Sequence, residues 1–172
     1  MNIVLMGYRG TGKSVVGKVL SKRLKRPLYS IDRMITEDQG RPIPEIVAQE
    51  GWPRFRELEA DMVARVAVRD GCIIDCGGGV VLDAGNVEML KRNGKVVVLD
   101  ASRDVILDRL SRGRGRPPLQ EGMSFEEEQD KVYAERQPLY AAAADLVCDT
   151  SRARPGQTVQ EIIERMRNEG WI

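Results

Sequence analysis

Gly7-Tyr8-Arg9-Gly10-Thr11-Gly12-Lys13-Ser14 carries glycines, a lysine and a hydroxyl at the spacing G-x-x-x-x-G-K-[ST]. That pattern suits the binding of a phosphate chain. Glycines let the loop turn tightly, so that backbone N–H groups converge on phosphate oxygens. A helix starting near Lys13 adds the positive end of its dipole. Lys13 supplies a point charge at the β- and γ-phosphates, and the Ser14 hydroxyl can ligate Mg²⁺. A bound nucleoside triphosphate with its metal is therefore expected. The loop alone does not separate ATP from GTP, or a kinase from an ATPase.

Four further groups of residues could serve a second substrate. Asp32 closes an apolar stretch; it can accept or orient the proton of an attacking hydroxyl, or cap a helix. Gly77-Gly78-Gly79 lets backbone approach a ligand closely, or forms a flexible turn. Arg54 and Arg56 stand in the first turn of an expected helix, where the dipole disfavours cations. They either grip an anion or sit solvated. Arg109, Arg112, Arg114 and Arg116 are interleaved with Gly113, Gly115, Pro117 and Pro118. The segment 111–123 suits a mobile lid that closes over phosphates, or a solvated basic loop. Arg136 is expected to close a helix before Pro138, where a cation is favourable on its own account.

The elements that must position these residues alternate between apolar runs and helical patterns, which points to an α/β fold with a parallel sheet. Strands are expected at Ile3–Met6, Pro27–Asp32, Cys72–Cys76, Val96–Leu99 and Leu146–Cys148. The helix after the phosphate loop has Val16, Val19, Leu20 and Leu24 on one face. A short helix from Pro44 to Glu50 is closed by Gly51, and Pro53 opens another with a face of Phe55, Leu58, Met62 and Val66. Helices follow over 83–92, with Gly94 beyond the end, and over 103–110. Ser124 and Glu127 form a capping box, and Thr158 with Glu161 is expected to cap the last helix. In such a sheet the strand ends carry the ligands, so Asp32, the glycine triplet and the lid should meet near the phosphate loop.

Composition narrows the function. A net charge of +1 offers no global case for nucleic acid or an anionic membrane. The absence of histidine removes His-based acid/base chemistry and most zinc sites. Cys72, Cys76 and Cys148 have neither an even count nor CxxC spacing, so free thiols are expected. No run of about 18 apolar residues occurs, and the first one is cut off at Gly7. A cytoplasmic protein is expected. It should be a monomer, because none of these helices shows a spare apolar face.

The landmarks come in order: the loop at 7–14, Asp32, Gly40-Arg41 with Ile43, Phe55-Arg56, Gly77-Gly78-Gly79, Arg116-Pro117 with Leu119, and Arg136 with Pro138-Leu139-Tyr140. Their ordered combination resembles the shikimate kinase family along essentially the whole chain. The resemblance implies a single P-loop kinase domain over 1–172: a doubly wound five-stranded parallel sheet flanked by helices, a lid at 111–123 and a substrate-binding helical region at 33–62. It implies transfer of the γ-phosphoryl group of ATP to the 3-hydroxyl of shikimate, in the pathway to chorismate and the aromatic amino acids. Asp32 matches the carboxylate that binds shikimate hydroxyls and assists deprotonation. Arg56 and Arg136 match the pair that holds the shikimate carboxylate, and Gly78 the backbone contact. Arg116 matches the lid arginine that reaches the phosphates. Gly10, Thr11, Gly12, Lys13, Ser14 and Val15 match the ATP-phosphate segment, with Ser14 the Mg²⁺ ligand.

Two positions depart from the family pattern. Many relatives carry Asp-x-Asp where this chain has Ser30-Ile31-Asp32, and Ser30 can still hydrogen-bond a metal-bound water. Asp75-Cys76 stands where small or hydroxyl residues are usual, so Asp75 is either a metal-side acid or a structural residue. The loop Arg152-Ala153-Arg154-Pro155 resembles the adenine side. Two rival readings remain at this stage. One is a kinase of the same fold for gluconate or a nucleoside monophosphate, since Arg56 and Arg136 also suit an acceptor phosphate. The other is a non-catalytic nucleotide sensor, against which Lys13, Ser14 and Asp32 argue.

Overall fold

The structure, a computed structural model, describes residues 1–112 and 122–172. Five strands form one parallel sheet: β1 (Asn2–Met6), β2 (Leu28–Ser30), β3 (Ile73–Asp75), β4 (Gly94–Asp100) and β5 (Leu146–Asp149), in the order β2-β3-β1-β4-β5. Their apolar runs follow from burial on both faces. Successive side chains point to opposite sides. Val4, Met6, Ile74, Val96 and Val98 pack into one core, and Ile3, Leu5, Ile73, Val97 and Leu99 into the other.

Helices α1 (Lys13–Leu24) and α7 (Pro155–Asn168) cover the second core through Val16, Leu20, Val159, Ile162, Ile163 and Met166. The first core is covered by α2 (Ile31–Gln39), α3 (Ile43–Ala67), α4 (Ala84–Arg92), α5 (Arg103–Arg112) and α6 (Phe125–Ala143). Helix α3 contains the expected break, because Gly51 takes φ 82°, ψ 169°. Asp83 caps α4 through the backbone N–H groups of Gly85 and Asn86. The Ser124–Glu127 capping box opens α6 as expected.

The structure corrects several expected boundaries. β2 ends at Ser30, so Asp32 does not close a strand but lies in the first turn of α2, a helix the apolar pattern did not signal. Gly94 lies beyond the end of α4 as expected, but it also begins β4, which was expected to start at Val96. Helix α6 runs through Pro138 to Ala143, so Arg136 is interior and does not close the helix. Helix α7 starts at Pro155, with the Gln157 side chain accepting from the Arg154 backbone N–H at 2.8 Å. Thr158 is buried within it and caps nothing.

Candidate active site

β1 lies between β3 and β4, so the chain leaves it first toward one edge and later toward the other. The crevice at such a reversal is where open parallel sheets bind ligands, and the phosphate loop follows β1 directly. Gly7 and Gly12 hold φ of 141° and 93°, a region hostile to L side chains. Gly12 is the N-cap of α1, which aims the helix's positive end at the loop. Thr11 is fully buried and donates from Oγ1 to the Tyr8 carbonyl at 2.7 Å, so its side chain shapes the loop from within. The Lys13 ammonium donates to the carbonyls of Gly7 and Tyr8 at 2.8 and 2.9 Å. Ser14 and Val15 are exposed at the start of α1.

The acceptor side is built from α2, α3, α6 and the glycine triplet. Arg56 donates to Glu59 at 2.5 Å, one helical turn on, and lies over the rings of Trp52 and Phe55. Glu59 is 1% exposed, and its Oε1 has no hydrogen-bond partner. Burial raises the Glu59 pKa above its ordinary value, and the Arg56 charge opposes the rise only in part. Arg136 is buried and donates from one terminal nitrogen to the Gly78 carbonyl at 3.0 Å, while its Nε has no partner. The Tyr140 hydroxyl donates to the same carbonyl. A Cβ at Gly77 would meet Glu59 Oε1 at 2.8 Å and Asp32 Oδ1 at 2.9 Å. The triplet is therefore close-packed, not a flexible turn.

Two adjoining cavities result. The larger, about 500 Å³, is lined by Trp52, Phe55, Arg56, Glu59 and Arg136. The smaller, about 250 Å³, is lined by Gly10, Gly12, Lys13, Val15, Asp75 and Arg109. Arg9, Ser14, Ser30, Asp32, Gly77 and Gly78 line both. One chamber thus carries the glycine-rich loop with Lys13 and the other a pair of arginines, with a carboxylate at their junction.

A family model described as shikimate kinase matches residues 9–167. The chain belongs to the shikimate kinase family. It is 42% identical to the shikimate kinase of Symbiobacterium thermophilum, over 99% of this chain and 98% of the relative. Identity to the Syntrophus aciditrophicus shikimate kinase is 37%, over 98% of this chain and 92% of that one. The solved structure of shikimate kinase from Acinetobacter baumannii in complex with shikimate superposes with a TM-score of 0.92 at 31% identity, covering 98% of this chain and 93% of that one. The sheet and its helices form the P-loop kinase fold of these shikimate kinases.

Around the two cavities the structure brings together Lys13, Ser14, Asp32, Arg56, Gly78 and Arg136. Arg116 and the greater part of the expected lid lie outside the described residues. Arg54 proves to be an ion-pairing residue, bound to Glu50 and Glu57. Arg109, grouped with the lid in the sequence, belongs to α5. It donates to the carbonyls of Gly10 and Thr150 at 3.1 and 2.7 Å, which ties the phosphate loop to the end of β5. Sequence reasoning missed Glu59 and Arg9. Glu59 had a visible signal, since it falls between Leu58 and Met62 on the apolar face of α3, where a carboxylate is costly. Arg9 had none, because its position in the loop motif accepts any residue.

Proposed function

We propose that the site transfers the γ-phosphoryl group of ATP to the 3-hydroxyl of shikimate, releasing ADP and shikimate 3-phosphate, on the route to chorismate and the aromatic amino acids. The observation that carries the reading is the pair of adjoining cavities with Asp32 at the junction. Arg56 and Arg136 hold the shikimate carboxylate, a task suited to the planar guanidinium fork. Arg136 lines the larger cavity, and its buried Nε has no hydrogen-bond partner. The Gly78 backbone fixes the ring, and Asp32 orients the hydroxyl and takes its proton as the new P–O bond forms. Gly10 to Val15 bind the phosphates. Lys13, joined by Arg116 from the lid, neutralises charge on the transferring group.

The donor set around the smaller cavity is oxygen-based, with Ser14, Ser30, Asp32 and Asp75, and it fits a hard divalent cation. Mg²⁺ held through Ser14 would supply charge neutralisation at the β- and γ-phosphates. We extend the reading to a monomer working in the cytoplasm, where buried free cysteines such as Cys72, Cys76 and Cys148 are common.

The test measures ADP release with shikimate, gluconate and nucleoside monophosphates offered in turn, in the presence of Mg²⁺·ATP. Shikimate-dependent release is expected. Release with another acceptor alone, or tight ATP binding with no turnover on any, would sink the reading.

A further inference from the structure

Asp75 belongs to the oxygen donor set of the smaller cavity, but the reaction described above gives it no role of its own. It ends β3, between β2 and β1, in register with Ser30 on one side and Leu5 on the other. Leu5 stands two residues before the phosphate loop. The two residues before Asp75 on its strand, Ile73 and Ile74, are fully buried apolar side chains. Asp75 itself is only 5% exposed, and it lines the smaller cavity with Lys13, Ser14, Ser30 and Asp32. Holding a carboxylate at a buried strand end carries a desolvation cost that a valine or serine would not. Groups of this kind are kept where they meet a cation. Among the described residues no three carboxylates or thiols gather to hold a metal unaided. A cation here would therefore be shared with the phosphates, and Mg²⁺ is commonly bound in that way, through one or two carboxylates. In phosphate-loop enzymes the acid that partners the loop hydroxyl stands on a strand of the same sheet.

We propose that Asp75 is the acidic anchor of the nucleotide-bound divalent cation, acting with the Ser14 hydroxyl directly or through a metal-bound water. Ser30, its register partner on β2, serves as the neutral hydrogen-bonding member of the pair. The proposal rests on the reading that a divalent cation accompanies the nucleotide at Ser14. It makes the two strand ends interchangeable: a carboxylate supplied from position 30 should replace one lost from position 75.

Mn²⁺ is the probe. Its uptake by the full chain with saturating ADP is followed through the electron paramagnetic resonance signal of free Mn²⁺, with ADP alone as reference. ADP affinity in EDTA is measured separately. Asp75→Asn and Asp75→Ser are expected to weaken Mn²⁺ binding in the ADP complex by about 10- to 100-fold, the usual effect of losing a group that supports a metal. ADP affinity in EDTA should hold. Adding Ser30→Asp to Asp75→Ser should recover most of the Mn²⁺ affinity. Thermal unfolding shows which proteins are folded; should Asp75→Asn not fold, Asp75→Ser and its double variant decide the matter. Wild-type Mn²⁺ affinity in either single variant overturns the proposal. So does an equal loss of ADP affinity in EDTA, which would make Asp75 a positioning residue for Lys13. A wild-type chain that adds nothing to Mn²⁺ uptake by ADP alone overturns the metal reading itself.

Discussion

Gly79→Ala tests the acceptor site without replacing any charged group. Gly79 has φ −101°, ψ −1°, which any L residue adopts, so alanine brings no backbone strain. Its Cβ, however, would overlap the guanidinium of Arg56. Arg56 cannot simply swing aside, because Glu59 holds it at 2.5 Å and the rings of Trp52 and Phe55 lie beneath it, at 5.4 and 5.1 Å. Relieving the overlap moves the guanidinium by about 1 Å or more, and a displacement of that size in a positioning group can cost about 100-fold. An independent figure comes from the bond lost. A hydrogen bond to a charged group contributes about 1.5–3 kcal/mol, or roughly 10- to 150-fold. Steady-state kinetics with shikimate and ATP varied separately should show kcat/KM for shikimate falling within that range while KM for ATP stays near wild type. Unchanged shikimate kinetics in a folded Gly79→Ala protein would refute the placement of Arg56 in the acceptor site. An equal rise in both KM values would show instead that the triplet distorts the whole cleft.

Four further outcomes are expected. Arg116→Ala should lower kcat with little change in shikimate KM, and a wild-type kcat would remove that residue from the phosphates. Lys13→Met should lower kcat by about 100-fold or more, as loss of a transition-state donor does, measured at saturating ATP and shikimate. Burial raises the Glu59 pKa, so the native state holds that proton more tightly than the unfolded chain does. Its contribution to stability is complete below the ordinary glutamate range and is lost as pH climbs through the raised native value. Unfolding temperature against pH should therefore fall more steeply for wild type than for Glu59→Gln in that window, and parallel curves would contradict it. Tyr140→Phe removes one of two donors from the Gly78 carbonyl. It should cost about 1 kcal/mol, or ~2–4 °C in Tm by calorimetry.

What the sequence disclosed depended on how local the physical constraint was. The phosphate loop was legible because its conformation demands glycine at fixed positions, as the φ values of Gly7 and Gly12 bear out. The central strands were legible because both faces are buried. Asp32 was misplaced by one element: β2 passes into α2 at Ser30-Ile31 with no glycine or proline to mark the change, and no side chain caps the helix. Arg136 was misplaced because Pro138 read as a stop. Instead α6 continues, anchored beyond the proline by buried Tyr140 and Ala143. The start of α7 was hidden for a similar reason, since Arg154 is an unusual N-cap and takes its partner from Gln157. Arg109 looked like a lid residue because only the fold shows α5 packed on the phosphate loop.

Helix α6 explains how two cavities built from distant segments keep a fixed relation. Gln129, Tyr133, Arg136 and Tyr140 follow one another at intervals of four, three and four, so they lie on one face of that helix. At one end Gln129 accepts from the Tyr8 hydroxyl at 2.7 Å, and Tyr133 meets the Tyr8 ring edge-on at 5.5 Å between centroids. Tyr8 is itself a residue of the phosphate loop, and it is 1% exposed. At the other end Arg136 and Tyr140 hold the Gly78 carbonyl. One rigid face therefore touches both the loop that binds the donor and the triplet that lines the acceptor cavity. Phosphoryl transfer depends on the alignment of attacking and leaving oxygens. The relation of the two cavities is fixed here by the register of a single helix, held by a buried hydrogen bond at one end and part-buried ones at the other. A substitution along this face should disturb donor and acceptor together, whereas one at Gly79, whose added Cβ would meet the Arg56 guanidinium, should disturb the acceptor alone.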